Sequence, residues 1–275
     1  MTVNRAPSRV VSGLPTYTPD NPPVFRGGIT SGGAAYSPAD EFTGGLNGWL
    51  WNGAADQSVF LQSAGGSPAA DGDPLGSISD LSGNGNNVVQ ATGGSKPVCK
   101  VNGGIRSAYF TSSKNLGVTF ATAVPAVRTE IFVIHVKANT PSAEAYPHVL
   151  TGAGGLDFQM IRNTATDVIE VWDGTSWCGY VTCPDYGNTF IFVEQHGIGY
   201  GPGVNAYTYN AAGTLVGSNV GMGYHNANTA TSMKLGFPAA MIPFHIAFSM
   251  GIEGHPDTTD LRTYLANTFG AWSPV

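Results

Sequence analysis

Short segments of apolar and β-branched residues, separated by glycine, asparagine and aspartate turns, constrain the fold of this chain most. Residues 128–137 are rich in β-branched and aromatic side chains, and residues 189–195 are apolar on both faces, as in a central strand. Glycine accounts for 38 of the 275 residues, and only 11% of the residues are charged, against about 25% in an average globular protein. This pattern excludes a coiled coil or a disordered chain and favours a turn-rich β-protein.

The spacing of the other segments predicts the architecture. Further strands are predicted at residues 155–161, 168–172, 206–210, 214–216, 233–237 and 244–252. Short strands at this spacing predict an all-β fold, a sandwich of two antiparallel sheets. One short C-terminal helix is predicted near residues 258–270, because apolar residues recur there at helical spacing before Gly270. We expect this helix to pack on the rim of the sandwich.

The first 44 residues differ from the rest because they hold six of the 18 prolines, which rules out a helix or a central strand. We predict an extended N-terminal arm at residues 1–44 and a sandwich domain at residues 45–275. Regularly spaced apolar residues favour an arm that orders on a neighbouring subunit, and a solvated tail is the alternative. The candidate assembly contacts are Arg5, Arg9, Tyr17, Phe25 and Arg26.

A group of turn motifs in residues 70–110 is the most specific part of the chain. It comprises Gly72-Asp73-Pro74-Leu75-Gly76, Asp80-x-Ser82-Gly83-Asn84-Gly85, Gln90, Lys96-Pro97 and Asn102-Gly103. These motifs, together with Leu261-Arg262-x-Tyr264-Leu265, resemble the laminin-G-like, concanavalin A-like jelly-roll domains of bacteriophage and prophage particle proteins. From the residues alone, the Asp80 segment is a tight turn, and part of an ion or ligand site is the alternative.

The resemblance implies a jelly roll with a non-enzymatic, structural role in a phage-like virion. The expected position is exposed, either decorating the capsid or in a fibre, spike or appendage module that contacts host surface glycans. The expected partners are other virion proteins and copies of this chain. The net charge of −6 gives no basic footprint for nucleic acid. With no signal peptide and no membrane-spanning segment in the sequence, we expect synthesis in the host cytoplasm and localisation in the virion.

The concanavalin A-like fold also carries glycoside hydrolases, so catalysis is the main alternative function. Retaining glycosidases hold two carboxyl groups about 5–5.5 Å apart, and two groups on one strand share a face only at i, i+2 spacing. Asp71 and Asp73 have this spacing, but they lie in a turn segment. We therefore expect no enzymatic activity, with a carbohydrate-binding or glycan-degrading module of the same fold as the alternative.

Metal sites have weak support in the sequence. Asp71 and Asp73 could bind Ca²⁺ with nearby carbonyl oxygens, and no other cofactor is expected. The odd number of cysteines (Cys99, Cys178 and Cys183) does not form a disulfide framework. Cys178 and Cys183 are spaced like half of a zinc site, but small buried hydrophobic residues are the favoured interpretation.

Aromatic residues cluster around residues 172–186 and give the candidate carbohydrate-binding site. Its members are Trp172, Trp177, Tyr180 and Tyr186. Exposed aromatic rings can stack on sugar faces, and a sandwich presents its loops at its ends. Packing in the core or between subunits is the alternative role for the same residues.

Overall fold

The computed structural model describes residues 36–55, 59–136, 144–152, 155–162, 168–172, 177–182, 188–195, 204–210, 212–222, 229–236, 243–254 and 256–274. Within these ranges the chain forms seventeen β-strands and one α-helix. In chain order they are β1 (Gly48–Asn52), β2 (Phe60–Leu61), β3 (Ser77–Ile78), β4 (Val88–Val89), β5 (Val98–Asn102), β6 (Ile105–Phe110), β7 (Leu116–Val124), β8 (Arg128–Val136), β9 (Glu144–Gly152), β10 (Gly155–Arg162), β11 (Val168–Trp172), β12 (Trp177–Thr182), β13 (Asn188–Gln195), β14 (Val204–Tyr209), β15 (Leu215–Met222), β16 (Ala230–Leu235), β17 (Phe244–Glu253) and α1 (Thr259–Phe269).

The strands form two antiparallel sheets. The first sheet has the order β15-β14-β13-β8-β17-β6-β5, with β1 also paired to β17, and the second has the order β12-β11-β10-β9-β16-β7-β4-β3-β2. The central strand β17 pairs with β8 on one side, and with β6 and then β1 on the other. The predicted all-β, two-sheet antiparallel sandwich with one short C-terminal helix is confirmed.

The main core lies between the sheets and is rich in aromatic side chains. Trp49 stacks on Trp51 at 5.9 Å and on Phe120 of the second sheet at 5.5 Å between ring centroids. The Trp49 indole nitrogen donates a hydrogen bond to Ser249 Oγ at 3.0 Å, which satisfies its buried polar atom. The same ring covers Gly251, where a Cβ atom would overlap it. Residues from both sheets thus form one continuous core.

A second apolar cluster covers the outer face of the first sheet. The helix α1 buries Leu261, Leu265 and Phe269 against strand residues that include Met250 and Ile252. The predicted position of this helix on the rim was therefore wrong, although its predicted range agrees with Thr259–Phe269. The physical reason is that the outer face of this sheet is itself apolar, so it needs a cover.

A β-bulge explains why β17 serves both clusters. Its register shifts between Ile246 and Phe248, and an extra residue in a strand reverses the alternation of side chains. Phe244 and Ile246 therefore lie in the inner core, whereas Phe248 and Met250 lie under α1. Because both faces of β17 are buried, the strand is apolar along most of its length.

The described end of the predicted arm packs on the sandwich. Pro38–Phe42 form a 3-10 turn that Ser37 and Asp40 cap reciprocally. Phe42 is buried in the outer cluster, and the Tyr36 ring meets Tyr264 of α1 at 6.0 Å between centroids. The predicted boundary between residues 44 and 45 thus falls inside this folded part of the chain. The candidate assembly contacts Arg5, Arg9, Tyr17, Phe25 and Arg26 lie outside the described residues.

The hairpin of β14 and β15 shows how local chemistry places a turn. Asn210 Oδ1 accepts hydrogen bonds from the backbone N–H groups of Ala212 and Thr214, each at 3.0 Å. Gly213 follows with a φ of 73°, a conformation that glycine adopts without strain.

Among the described residues, no helix is long and apolar enough to span a membrane.

Candidate functional site

The Asp80 motif forms a polar network that fixes its loop to β1. Asp80 accepts hydrogen bonds from the N–H groups of Leu50, Ser82 and Asn86 and from Ser82 Oγ, at 2.8–3.0 Å. Asn86 Nδ2 donates to the carbonyl oxygen of Gly48 at 2.7 Å. Because these four donors engage both carboxylate oxygens, the geometry favours the structural turn over an ion or ligand site.

Asp71 and Asp73 close one edge of the sandwich. Asp71 Oδ1 accepts a hydrogen bond from the N–H group of Val101 at 3.0 Å, and Asp73 Oδ2 accepts from Gln62 Nε2 at 2.7 Å and Ala70 N at 2.9 Å. The backbone between β2 and β3 also pairs with β5, since Cys99 N donates to Asp73 O at 2.8 Å. The described residues contain no group of three or more His, Cys, Asp or Glu side chains placed to hold a metal. By these hydrogen bonds, Asp71 fixes the segment between β2 and β3 to the edge strand β5, and Asp73 stabilises that segment.

The carboxylate of Glu130 forms a buried ion pair with Arg128. Arg128 Nε lies 2.6 Å from Glu130 Oε1, and both side chains are fully buried. The two residues share the face of β8 that carries Phe132 and Ile134 into the inner core. Glu130 is therefore held by a charged hydrogen bond inside the protein rather than in a cleft.

Two further side chains with chemical potential, those of Cys99 and His245, are buried in the packed interior. Burial raises the pKa of the Cys99 thiol to about 11, although Arg106 opposes this shift. A thiol with such a pKa is a poor nucleophile at neutral pH. His245 is fully buried, stacks on Tyr109 at 4.5 Å between centroids and has Nδ1 3.2 Å from Ser107 Oγ.

The hairpin of β11 and β12 brings three of the four candidate aromatic residues together. Trp172 is paired in register with Trp177, and Glu170 is paired with Tyr180. The backbone positions of the two tryptophans are described, but their side chains and all of Tyr186 lie outside the described residues. Tyr180 is 60% exposed, and the next residue, Val181, enters the inner core. Tyr180 therefore projects from the outer face of the second sheet.

The strand that carries Tyr180 is anchored at its backbone. Asn219 Nδ2 of β15 donates a hydrogen bond to the carbonyl oxygen of Tyr180 at 2.8 Å. This bond joins an edge strand of the second sheet to an edge strand of the first. An exposed ring on a fixed backbone loses little entropy when it binds a ligand.

Other tyrosines of the same region are packing residues. Tyr209 is only 2% exposed and lies in the outer cluster under α1. Arg262 of α1 donates a hydrogen bond to its hydroxyl at 3.1 Å. Of these two described tyrosines, Tyr209 is a packing residue and Tyr180 is exposed.

A groove on the outer face of the second sheet was not predicted from the sequence. It has a volume of about 540 Å³ and is lined by the ends of β4, β7 and β16, including Val89, Thr119, Ser232 and Lys234. The sequence signal is the alternation of Ser232 and Lys234 with the buried Met233 and Leu235. Alternation alone is typical of any solvent-facing strand, so it did not indicate a site.

Comparisons with known proteins identify the fold. No protein-family model matches the chain, and no curated protein matches it. Solved structures similar to it include a GH54 α-L-arabinofuranosidase soaked with a cyclic sulfate inhibitor, with a TM-score of 0.54 and 16% identity over 74% of this chain and 52% of that chain. The binding domain of botulinum neurotoxin serotype D has a TM-score of 0.54 and 12% identity over 72% and 51%. The receptor binding domain of botulinum neurotoxin type G has a TM-score of 0.50 and 10% identity over 71% and 51%.

These similarities are at the level of the fold. The chain spans about half the length of each of these solved structures. It shares a β-sandwich with a glycoside hydrolase and with toxin binding domains, at identities that carry no functional residue across. The chain is a β-sandwich protein of two antiparallel sheets.

Proposed function

We propose that this chain is a non-enzymatic structural component of a phage-like virion, an exposed accessory protein that contacts host surface glycans. It would decorate the capsid or form part of a fibre, spike or appendage. The observation that carries the glycan contact is Tyr180, a 60% exposed ring on an edge strand whose backbone Asn219 fixes. Trp172 and Trp177 lie in register on the same hairpin.

A non-enzymatic role is supported by four carboxylates that hold the fold together. Asp71, Asp73 and Asp80 accept hydrogen bonds that hold loops and edges, and Glu130 is paired with Arg128 inside the core. Glycoside hydrolysis needs a pair of carboxyl groups flanking the bond in an accessible cleft. The alternative is a carbohydrate-binding or glycan-degrading module, since an arabinofuranosidase shares the β-sandwich fold.

The virion assignment is supported by the turn motifs of residues 70–110. They resemble those of phage particle proteins. Their residues form the Asp80 hydrogen-bond network and the hydrogen bonds of Asp73. A fold by itself does not fix a function. The location of the chain in a particle therefore needs direct imaging.

A glycan array with three forms of the full chain tests the glycan contact. We expect the wild-type protein to bind at least one host surface glycan, and Tyr180→Ala to lower that affinity about tenfold because the stacking ring is lost. Tyr180→Phe keeps the ring and is the matched control, so its affinity should stay near that of the wild type. Thermal unfolding should be unchanged in both variants, because the ring is mostly exposed.

Three outcomes would contradict the proposal. If no glycan binds, or if Tyr180→Ala binds as well as the wild type, the hairpin is not a glycan-contacting surface. Release of reducing sugar from a bound glycan, abolished by substitution of one Asp or Glu, would replace the non-enzymatic proposal with the glycan-degrading alternative.

A further inference from the structure

The groove on the outer face of the second sheet is floored by paired strands. Gly117 of β7 lies opposite Val89 of β4 and opposite Lys234 of β16. Without a side chain, Gly117 leaves the floor open between these two residues. Val89 is 44% exposed and presents an apolar surface on one side of the groove.

A row of hydroxyl groups crosses the sheet at the position of Ser232, two residues before Lys234 on β16. Ser232 is in register with Thr119 of β7 and with Thr151 of β9. Strands of a sheet lie about 4.8 Å apart, so this row offers a hydroxyl group at regular intervals over three strands. Thr119 and Thr151 are exposed, and Ser232 is half-buried. Hydroxyl groups both donate and accept hydrogen bonds, which suits the hydroxyl groups of a sugar.

The groove is cationic in an acidic protein. Of the nine described residues that line it, only Lys234 carries a charge, whereas the whole chain has a net charge of −6. Lys234 is exposed and lies two residues from Ser232 on the same face of β16, about 7 Å along the strand. One ammonium group beside a row of hydroxyl groups matches a sugar that carries one carboxylate. A nucleic acid would need several cations.

We infer that this groove binds an acidic carbohydrate, a glycan that contains a uronic acid or a similar carboxylated sugar. The carboxylate of the sugar pairs with the Lys234 ammonium group, and its hydroxyl groups form hydrogen bonds with Thr119 and Ser232. The C–H face of the sugar packs on Val89. The inference rests on the proposed glycan contact and names its chemical class. Tyr180 lies on the same outer face, four strand positions away, or about 19 Å at the usual spacing.

Isothermal titration of the full chain with trigalacturonate, and with neutral galactotriose as the matched ligand, tests this inference. We expect trigalacturonate to bind more tightly, with an affinity that falls as salt rises. Lys234→Gln should lower its affinity about tenfold. Lys100→Gln removes the same charge from β5 of the other sheet and should leave the affinity within about twofold. Unfolding temperatures of both variants check that the fold is intact.

The outcomes separate this inference from the proposed function. Equal affinity for the two trisaccharides, or equal losses in Lys234→Gln and Lys100→Gln, would overturn the acidic site. Binding of neutral array glycans through Tyr180 without any binding of trigalacturonate would overturn the acidic site and leave the proposed glycan contact standing. Trigalacturonate binding that depends on Lys234, by a chain that is absent from purified particles, would support the site and overturn the virion role.

Discussion

At the scale of single residues, the chain uses its few charged side chains to hold its fold together. The Arg128–Glu130 pair is fully buried in the inner core, where breaking an ion pair costs more free energy than at the surface. Asp80 and Asp73 hold loops instead of lining a cleft. Sequence spacing alone did not separate these roles, because a carboxylate in a turn motif looks the same whether it binds a backbone N–H group or a cation.

The buried pair gives a residue-scale prediction. We expect Glu130→Ala to lower the free energy of unfolding by about 3–5 kcal/mol, because the variant breaks an ion pair in the buried core. The double variant Arg128→Met/Glu130→Leu should lose much less, since apolar side chains of similar size leave no charge behind. Urea unfolding measures both. Equal losses in the single and double variants would show that packing volume, not the charge, sets the effect.

The carboxyl of Glu41 gives a prediction about pH. Burial raises its pKa, the hydrogen bond from the Tyr36 hydroxyl opposes this, and the nearby Asp257, Asp260 and Asp40 add to it. A raised pKa in the folded state means that this group favours folding at low pH and that its contribution is lost as the pH rises through that pKa. We therefore expect Glu41→Gln to raise the melting temperature near neutral pH.

The difference between Glu41→Gln and the wild type should shrink toward about pH 3, where the carboxyl is largely protonated in both folded and unfolded states. Thermal unfolding followed by circular dichroism across this range measures it. A difference that stays constant with pH would show that the titration of Glu41 does not contribute.

At the scale of elements, the strands with strong local signals were predictable and those defined by distant partners were not. β8 and β13 are long and apolar, and Asn210 fixes the turn of the β14–β15 hairpin. β2, β3 and β4 have two residues each and exist through their pairing across the sheet. The helix α1 was predicted in range but not in position, since the cluster that receives it depends on a bulge in β17.

The entry of the chain into the sandwich gives an element-scale prediction. We expect a chain that begins at Tyr36 to keep the outer cluster intact, with Phe42 buried beneath the 3-10 turn. A chain that begins at Gly45 loses Phe42 and should unfold about 3–5 kcal/mol more easily, the usual cost of emptying a buried aromatic site. Urea unfolding of the two chains compares them directly. Equal stability would show that residues 36–44 add nothing to the fold.

At the scale of the whole molecule, the two faces of the sandwich are used differently. The outer face of the first sheet is covered by α1 and the 3-10 turn, whereas the outer face of the second sheet carries the exposed Tyr180 and the groove at Lys234. The candidate aromatic site at residues 172–186 was predicted from the sequence because its residues are close along the chain. The groove was not predicted, because Val89, Thr119 and Lys234 come from strands that only the sheet order makes neighbours.

Electron microscopy of the source particle is the most direct test of the central claim, that this sandwich is an exposed virion component with a glycan-contacting face. The account predicts density for the sandwich on the exterior of the particle, with the outer face of the second sheet turned to solvent. Purified particles that lack the chain, or a map in which a neighbouring subunit covers Tyr180 and Lys234, would contradict it.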